Sequence, residues 1–224
     1  CLKASRPNQV YSWDITYLKR NIRGSFYYLY MMMDIWSRKI VGYRVEDGEN
    51  MMYSSMLLQT VHAQQGLSPN EVTLHADNGG PMKGSMMHAT LERLGVLASF
   101  SRPRKSDDNP YSESLFKTMK YRPHYPTVPF KDLEGARQWV SVFVDWYNNK
   151  HLHSGIGFVS PTSRHCGKSD AILASRRQVY AVAKTRHPHR WSGSPRKWTS
   201  PQHVYINKFA FIFIIKRTWV KKFC

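Results

Sequence analysis

The chain has 224 residues, 42% of them hydrophobic and with 7 Trp and 13 Tyr, which excludes a disordered chain and is enough for one ordinary domain plus an extension. Its 33 Lys and Arg against 15 Asp and Glu give a net charge of +18. A surplus of that size points to a polyanionic partner, because cations near phosphates release condensed counterions. The surplus is uneven: residues 164–224 hold 14 Lys and Arg against Asp170 alone, +13, and residues 1–163 hold 19 − 14 = +5, which favours nucleic acid over a membrane.

The three cysteines, Cys1, Cys166 and Cys224, are scattered and form neither a disulfide framework nor a metal-ligand pair, which suits a reducing cytoplasm. No signal peptide is visible, and the longest apolar run, Phe209 to Ile215, is far too short to span a bilayer.

In chain order, residues 10–17 alternate and predict a strand with Ser12, Asp14 and Thr16 on one face and Trp13, Ile15 and Tyr17 on the other. A turn at Asn21 to Gly24 leads to an aromatic- and Met-rich buried strand over 25–35, then a third strand over 39–46, and the short connections predict an antiparallel meander. A helix over 51–65 follows, capped by Asn50 and stopped by Gly66. Val72 to Asp77 is a fourth strand that ends in the sharp turn Asn78-Gly79-Gly80-Pro81. A helix over 84–94 and a short fifth strand over 96–101 precede a polar loop, Arg102 to Asp108. Asn109-Pro110 opens another helix, and a long amphipathic helix covers about 131–149. The order predicts an α/β fold with a mixed five-stranded sheet flanked by helices. Residues 1–9 are expected to be a linker remnant, 10–159 a catalytic core, and 160–224 a basic extension with one helix near 168–184.

Three acids stand out by position: Asp14 on the polar face of the first strand, Asp77 at the end of the fourth, and Glu113 near the start of the Asn109 helix, 36 residues beyond Asp77. Carboxylates converging from separate elements suit hard cations, which take oxygen ligands and keep positions open for water and phosphate. Two such ions can hold the attacking and leaving oxygens of a phosphodiester. Glu113, Lys117 and Lys120 share one helix face, which places two phosphate-binding cations beside a ligand; taken alone, the same spacing fits an ordinary solvated helix. Arg102, Arg104 and Lys105 of the polar loop are further candidate DNA contacts. Asp34 is expected to cap the turn into the third strand, and Asp107 and Asp108 to be solvated. His151 and His153 have metal-pair spacing without companions, so a structural or DNA-backbone role is expected.

At these residues the chain resembles the integrase core of bacterial insertion-sequence transposases, of the type whose transposase is split over two reading frames. The resemblance is carried by Ser12-Trp-Asp14-Ile-Thr-Tyr-Leu, His75-Ala-Asp77-Asn-Gly, and Asp108-Asn-Pro-Tyr-Ser-Glu113-Ser-Leu-Phe-Lys-Thr-Met-Lys120, and it covers about residues 3–207. It implies a ribonuclease-H-like fold, with Asp14, Asp77 and Glu113 as catalytic metal ligands for Mg²⁺ or Mn²⁺, two ions in number. It further implies Lys120 as a contact to the DNA end, and strand cleavage followed by transfer of a 3′-hydroxyl to new DNA. The expected partners are DNA (element ends and target), further copies of the chain, and a separate helix-turn-helix subunit, in the bacterial cytoplasm at the nucleoid, with no membrane. Ala76 stands where the group usually has Ser, which implies a lost supporting hydroxyl. A ribonuclease-H-like nuclease and a DNA-binding remnant without catalysis remain the alternative readings.

Overall fold

The structure, a computed structural model, describes residues 2–77, 84–102 and 108–206. The turn at 78–81, Asp107, the cations Arg104 and Lys105, and the apolar tail from Phe209 therefore lie outside the described residues.

Strands β1 (Leu2–Ala4), β2 (Val10–Lys19), β3 (Phe26–Asp34) and β4 (Ile40–Glu46) are followed by α1 (Met51–Gln65), β5 (Thr73–Ala76), α2 (Ser85–Leu94) and β6 (Leu97–Phe100). Next come α3 (Pro110–Lys120), α4 (Leu133–Asn149), α5 (Pro161–His165), α6 (Ser169–Arg186) and β7 (Val204–Ile206). The main sheet has the order β4-β3-β2-β5-β6. The meander β2-β3-β4 is antiparallel, whereas β5 joins β2 and β6 joins β5 in parallel. The mixed five-stranded α/β sheet is therefore as the alternation predicts.

Side-chain alternation divides the sheet into two faces. Tyr30 and Met32 of β3 pack with Trp13, Leu74 and Ala76 under Leu57, Leu58 and Val61 of α1 and Leu91 of α2. Leu29, Met31 and Met33 of β3 face the other way, under Leu115 and Met119 of α3 and Val140, Phe143 and Tyr147 of α4. The sheet is thus covered on both sides, and α3 and α4 lie on the face to which even-numbered residues of β2 point, since Leu18 belongs to that cluster.

Beyond Val159 the chain folds back on itself. β7 pairs antiparallel with β1, and Ala4, Val204 and Ile206 pack with Ile35 and Val10. Three-residue strands are too short to show a period in sequence. Several extension cations are packing elements: Arg164 is buried with its guanidinium 4.2 Å from the Trp36 ring centre, and Arg176 and Arg177 donate to the carbonyls of Phe158 and Trp198. Among the described residues no helix is long and apolar enough to cross a membrane.

Gly42 of β4 passes directly under α1, and a Cβ there would run into Val61 Cγ2. Val61 is a stiff β-branched residue with no exposure. Gly42→Ala is expected to lower stability by about 1–3 kcal/mol, as overpacking of a filled core does, read as a lower urea midpoint at unchanged m-value.

Candidate active site

Strand register brings the first two acids together. In the parallel pair, Ser12 lies opposite His75 and Trp13 opposite Ala76, so the next pair in step is Asp14 with Asp77. Neighbouring strands run roughly 4.8 Å apart. Trp13 and Ala76 point into the α1 side, so Asp14 and Asp77 leave their strands on the α3 side. Asp77 also has a partner across β6, because Ser101 continues the β5–β6 register and its hydroxyl donates to Asp77 Oδ1 at 2.8 Å.

The third acid is delivered by a polar seam under the start of α3. The Ser12 hydroxyl, with no exposure, donates to Asn109 Oδ1 at 2.6 Å and contacts the Ser112 hydroxyl. Asn109 Nδ2 donates to the Trp13 carbonyl at 3.2 Å. His75, 1% exposed, holds the Asp108 carbonyl through Nε2 and the Ser99 hydroxyl through Nδ1, both at 3.0 Å. A carbonyl can only accept, so Nε2 bears the proton and Nδ1 accepts from Ser99. Burial pushes His75 below the usual imidazole value, consistent with that neutral ring. Asp108 in turn receives the Arg102 backbone N–H and its guanidinium, at 2.7–3.0 Å. The seam fixes Asn109 to Ser112, and Glu113 follows in the first turn of α3.

Electrostatics register the convergence. Burial, followed by the charges of Asp77 and Glu113, raises Asp14 from 3.8 to about 7, against the opposing pull of the Ile15 N–H and of Lys120. Partial burial pushes Lys120 below the usual lysine value, and Asp14 pulls it back up. A half-buried carboxyl under two like charges is a place where positive charge is favourable, and its donors are all hard oxygens. Asp77 and Glu113 are exposed. Among the described residues no three His, Cys, Asp or Glu side chains stand close enough to form a ready-made metal cage, so the acids share a field without being drawn to ligating distance. Lys117 is exposed one turn beyond Glu113, and Arg102 is exposed at its outer side while forked to Asp108.

Several expectations change. Asp108 is not solvated: its side chain is 1% exposed and closes the polar loop against Arg102. Asn109 precedes the helix as predicted, but its side chain makes no cap bond because it is spent on Ser12 and Trp13. The hydroxyl expected to be missing at Ala76 would have pointed into the apolar α1 face; the hydroxyl that reaches Asp77 comes from Ser101. Asp34 does cap its turn, accepting from the Ser37 N–H at 3.0 Å. His151 stacks on Tyr147 with ring centres 5.3 Å apart. The sequence signal for the seam was only the polar character of Ser12, His75 and Asn109 at positions otherwise read as strand or cap.

Models of the integrase core domain match residues 4–106 and, in a second form, 94–161. A transposase of insertion sequence element IS904 from Lactococcus lactis is 32% identical over 164 residues, 71% of this chain and 62% of the relative. The Escherichia coli transposase InsF of insertion sequence IS3A is 30% identical over 159 residues, 70% of this chain and 54% of the relative. The chain belongs to the integrase core family of insertion-sequence transposases. Its match spans little more than half the length of these transposases. Among solved structures, a simian T-cell lymphotropic virus intasome chain is similar at a TM-score of 0.59 and 18% identity, over 72% of this chain and 55% of that one. The catalytic core domain of the HTLV-2 integrase, solved in complex with magnesium, is similar at a TM-score of 0.53 and 15% identity, over 71% and 97%. These two likenesses establish the ribonuclease-H-like fold of the integrase core.

In this integrase core His75→Ala would remove the ring's bonds to the Asp108 carbonyl and to the part-buried Ser99 hydroxyl. A loss of about 2–3 kcal/mol is expected, with faster amide exchange at the start of α3. His75→Gln, whose amide nitrogen reaches where Nε2 stands, is expected to recover most of the protection, and His75→Asn to recover less.

Proposed function

We propose that the chain catalyses divalent-metal-dependent cleavage of DNA at element ends and transfer of the resulting 3′-hydroxyl to target DNA. The observation that carries this reading is the juxtaposition at Asp14 of β2, which feels the charges of Asp77 just after β5, of Glu113 in α3 and of Lys120. In this reading Asp14, Asp77 and Glu113 hold two Mg²⁺ or Mn²⁺ ions. Bound ions of this kind supply Lewis acidity at both the attacking and the leaving oxygen of an in-line displacement. Magnesium in the HTLV-2 integrase core supports the choice of metal.

The chain's own groups bind and orient. Lys120 sits within the field of Asp14, where a scissile phosphate would lie, and Lys117 extends the same face along the backbone. Arg102 is proposed as a further phosphate contact, as are Arg104 and Lys105 from their sequence position alone. Ser101 steadies the Asp77 carboxylate through its Oδ1. Assembly as a multimer of this chain and cooperation with a separate helix-turn-helix subunit complete the proposal, as does a place at the bacterial nucleoid.

The test is strand transfer of a pre-cut DNA end in Mn²⁺, comparing the wild type with Glu113→Gln. A fall of about two orders of magnitude, roughly 3 kcal/mol of barrier, is expected; equal rates would remove Glu113 from the site. Calorimetric heat of Mn²⁺ binding is expected for the wild type and is expected to vanish with Asp77→Asn.

A separate expectation concerns DNA affinity. If phosphate neutralisation supplies most of it, log affinity falls against log salt by roughly 0.9 for each phosphate neutralised, and Lys117→Ala lowers that slope by about one. A flat titration between low and physiological salt would contradict the electrostatic account.

A further inference from the structure

We infer that the cavity between the β3–β4 turn, the outer side of α3 and the end of α4 receives a single unstacked nucleobase of the DNA strand under attack. The inference rests on the DNA-transposase reading above. The cavity is about 320 Å³ and is lined by Arg38, Pro110, Tyr111, Ser114, Tyr147 and His153, with Met33 at its floor. That is the small end of the range of roughly 300–1,000 Å³ seen for ligand cavities, suited to one base rather than a base pair.

The walls combine flat faces with hydrogen-bond donors. Arg38 takes φ +68°, the left-handed region, which throws its guanidinium across the turn and 4.1 Å from the Tyr111 ring centre. Its Nη1 donates to the Ile35 carbonyl at 2.8 Å, which locks the stack. Tyr147 is 1% exposed, and its hydroxyl makes contact only with Met33 Sδ at 4.0 Å among the described residues. A thioether is a weak acceptor, so the buried phenol beside the cavity is only weakly satisfied. His153 Nδ1 accepts from the Gly155 N–H at 3.1 Å, which leaves the proton of the neutral ring on Nε2. Burial and the nearby Arg38 charge keep that ring neutral, pushing it down to about 4. Ser114 adds a hydroxyl, and no lining residue is acidic.

Donors on every side and aromatic or guanidinium faces above complement a flat ring that bears carbonyl oxygens. A nucleobase has that chemistry, and stacking on aromatic rings and Arg is how unpaired bases are held. Position identifies the source as DNA. Ser114 follows Glu113 directly, and at about 100° per residue Lys117 falls between the two on the helix surface. A strand whose phosphate met the Glu113–Lys120 face would cross Lys117 and present its next base at the cavity mouth. Extrusion of that base costs stacking and pairing, least at a nick or mismatch.

The probe is a nicked duplex with 5-iodouracil, which keeps both carbonyl oxygens, placed in turn at each position flanking the nick. Irradiation of the wild-type complex is expected to crosslink one position to Tyr111, Tyr147 or His153, mapped by mass spectrometry. Arg38→Asn keeps a residue that tolerates the left-handed backbone, and Ser114→Trp fills the mouth from an exposed position. Each is expected to lower the crosslink yield about tenfold while changing duplex Kd by less than about threefold, under 0.7 kcal/mol. Crosslinks elsewhere, or a yield unchanged in both variants, would overturn the inference and leave the transposase reading standing. Absence of any duplex binding would overturn both. Crosslinking of free 5-iodo-deoxyuridine monophosphate to the same residues, with no crosslink to the nicked duplex, would assign the cavity to a free nucleotide and overturn the DNA source.

Discussion

Burial of Asp14 beside two further carboxylates is the constraint around which this fold is arranged. Asp14 stands at about 7 where an ordinary aspartate has 3.8, a difference of roughly 4 kcal/mol against its charged form. Asp14 cannot relax away, because it is a strand residue paired with Met31 of β3, directly after the last residue paired with β5. Glu113 could, since it lies on a short helix that would be marginal alone. What keeps α3 in place is its apolar underside, Leu115, Phe116 and Met119 in the core, and the buried seam from Ser12, His75 and Asn109. Each buried bond contributes about 1 kcal/mol net and more if left half-made, so the seam is of the same order as the cost of holding Asp14 buried beside two like charges.

The basic extension illustrates how charge and structure exchange roles. Net charge alone assigns all thirteen surplus cations beyond residue 163 to a polyanion. Arg164, Arg176, Arg177 and Arg196 instead stack on Trp36, Phe158 or Trp198 or donate to carbonyls. Guanidinium suits this work because it is weakly hydrated and planar. The free cationic surface of the extension is therefore smaller than its composition suggests.

The main sheet was legible because its signals are local. Alternation over 10–17 put Ser12 and Asp14 on one side, and the helix at 51–65 coincides with α1 to the residue, with Asn50 capping Met52 and Gly66 left-handed at the end. The positions of Asp14, Asp77 and Glu113 were legible as pattern and family motif. How they are held was not. Burial of Asp108 depends on Arg102 closing the loop and on His75 from another strand, and diversion of Asn109 from capping depends on Ser12, 97 residues away. The β1–β7 pairing joins residues about 200 positions apart through strands too short for any periodic signal. In each case the missing information is a tertiary partner, against which local propensity is only a prior.

Helix α3 concentrates these requirements in eleven residues by giving each face a separate task. Ser112, Leu115, Phe116 and Met119 face the sheet and fix the helix axis. Glu113, Lys117 and Lys120 face outward, one acid followed by two cations, so the acid that adds to the repulsion at Asp14 is followed on the same stripe by the cation that relieves it. Tyr111 and Ser114 face the Arg38 cavity, and Tyr111 is anchored by its hydroxyl to the Tyr205 carbonyl of β7. The extension thus touches α3 through Tyr111, and the ring that Arg38 stacks on is the same one that β7 holds. A displacement of β7 would move that ring directly, and the Glu113 carboxylate only through the rest of a helix already pinned to β2. The fold therefore separates the placement of the acids, set by the sheet, from the shape of the cavity beside them, set by the returning C-terminal segment.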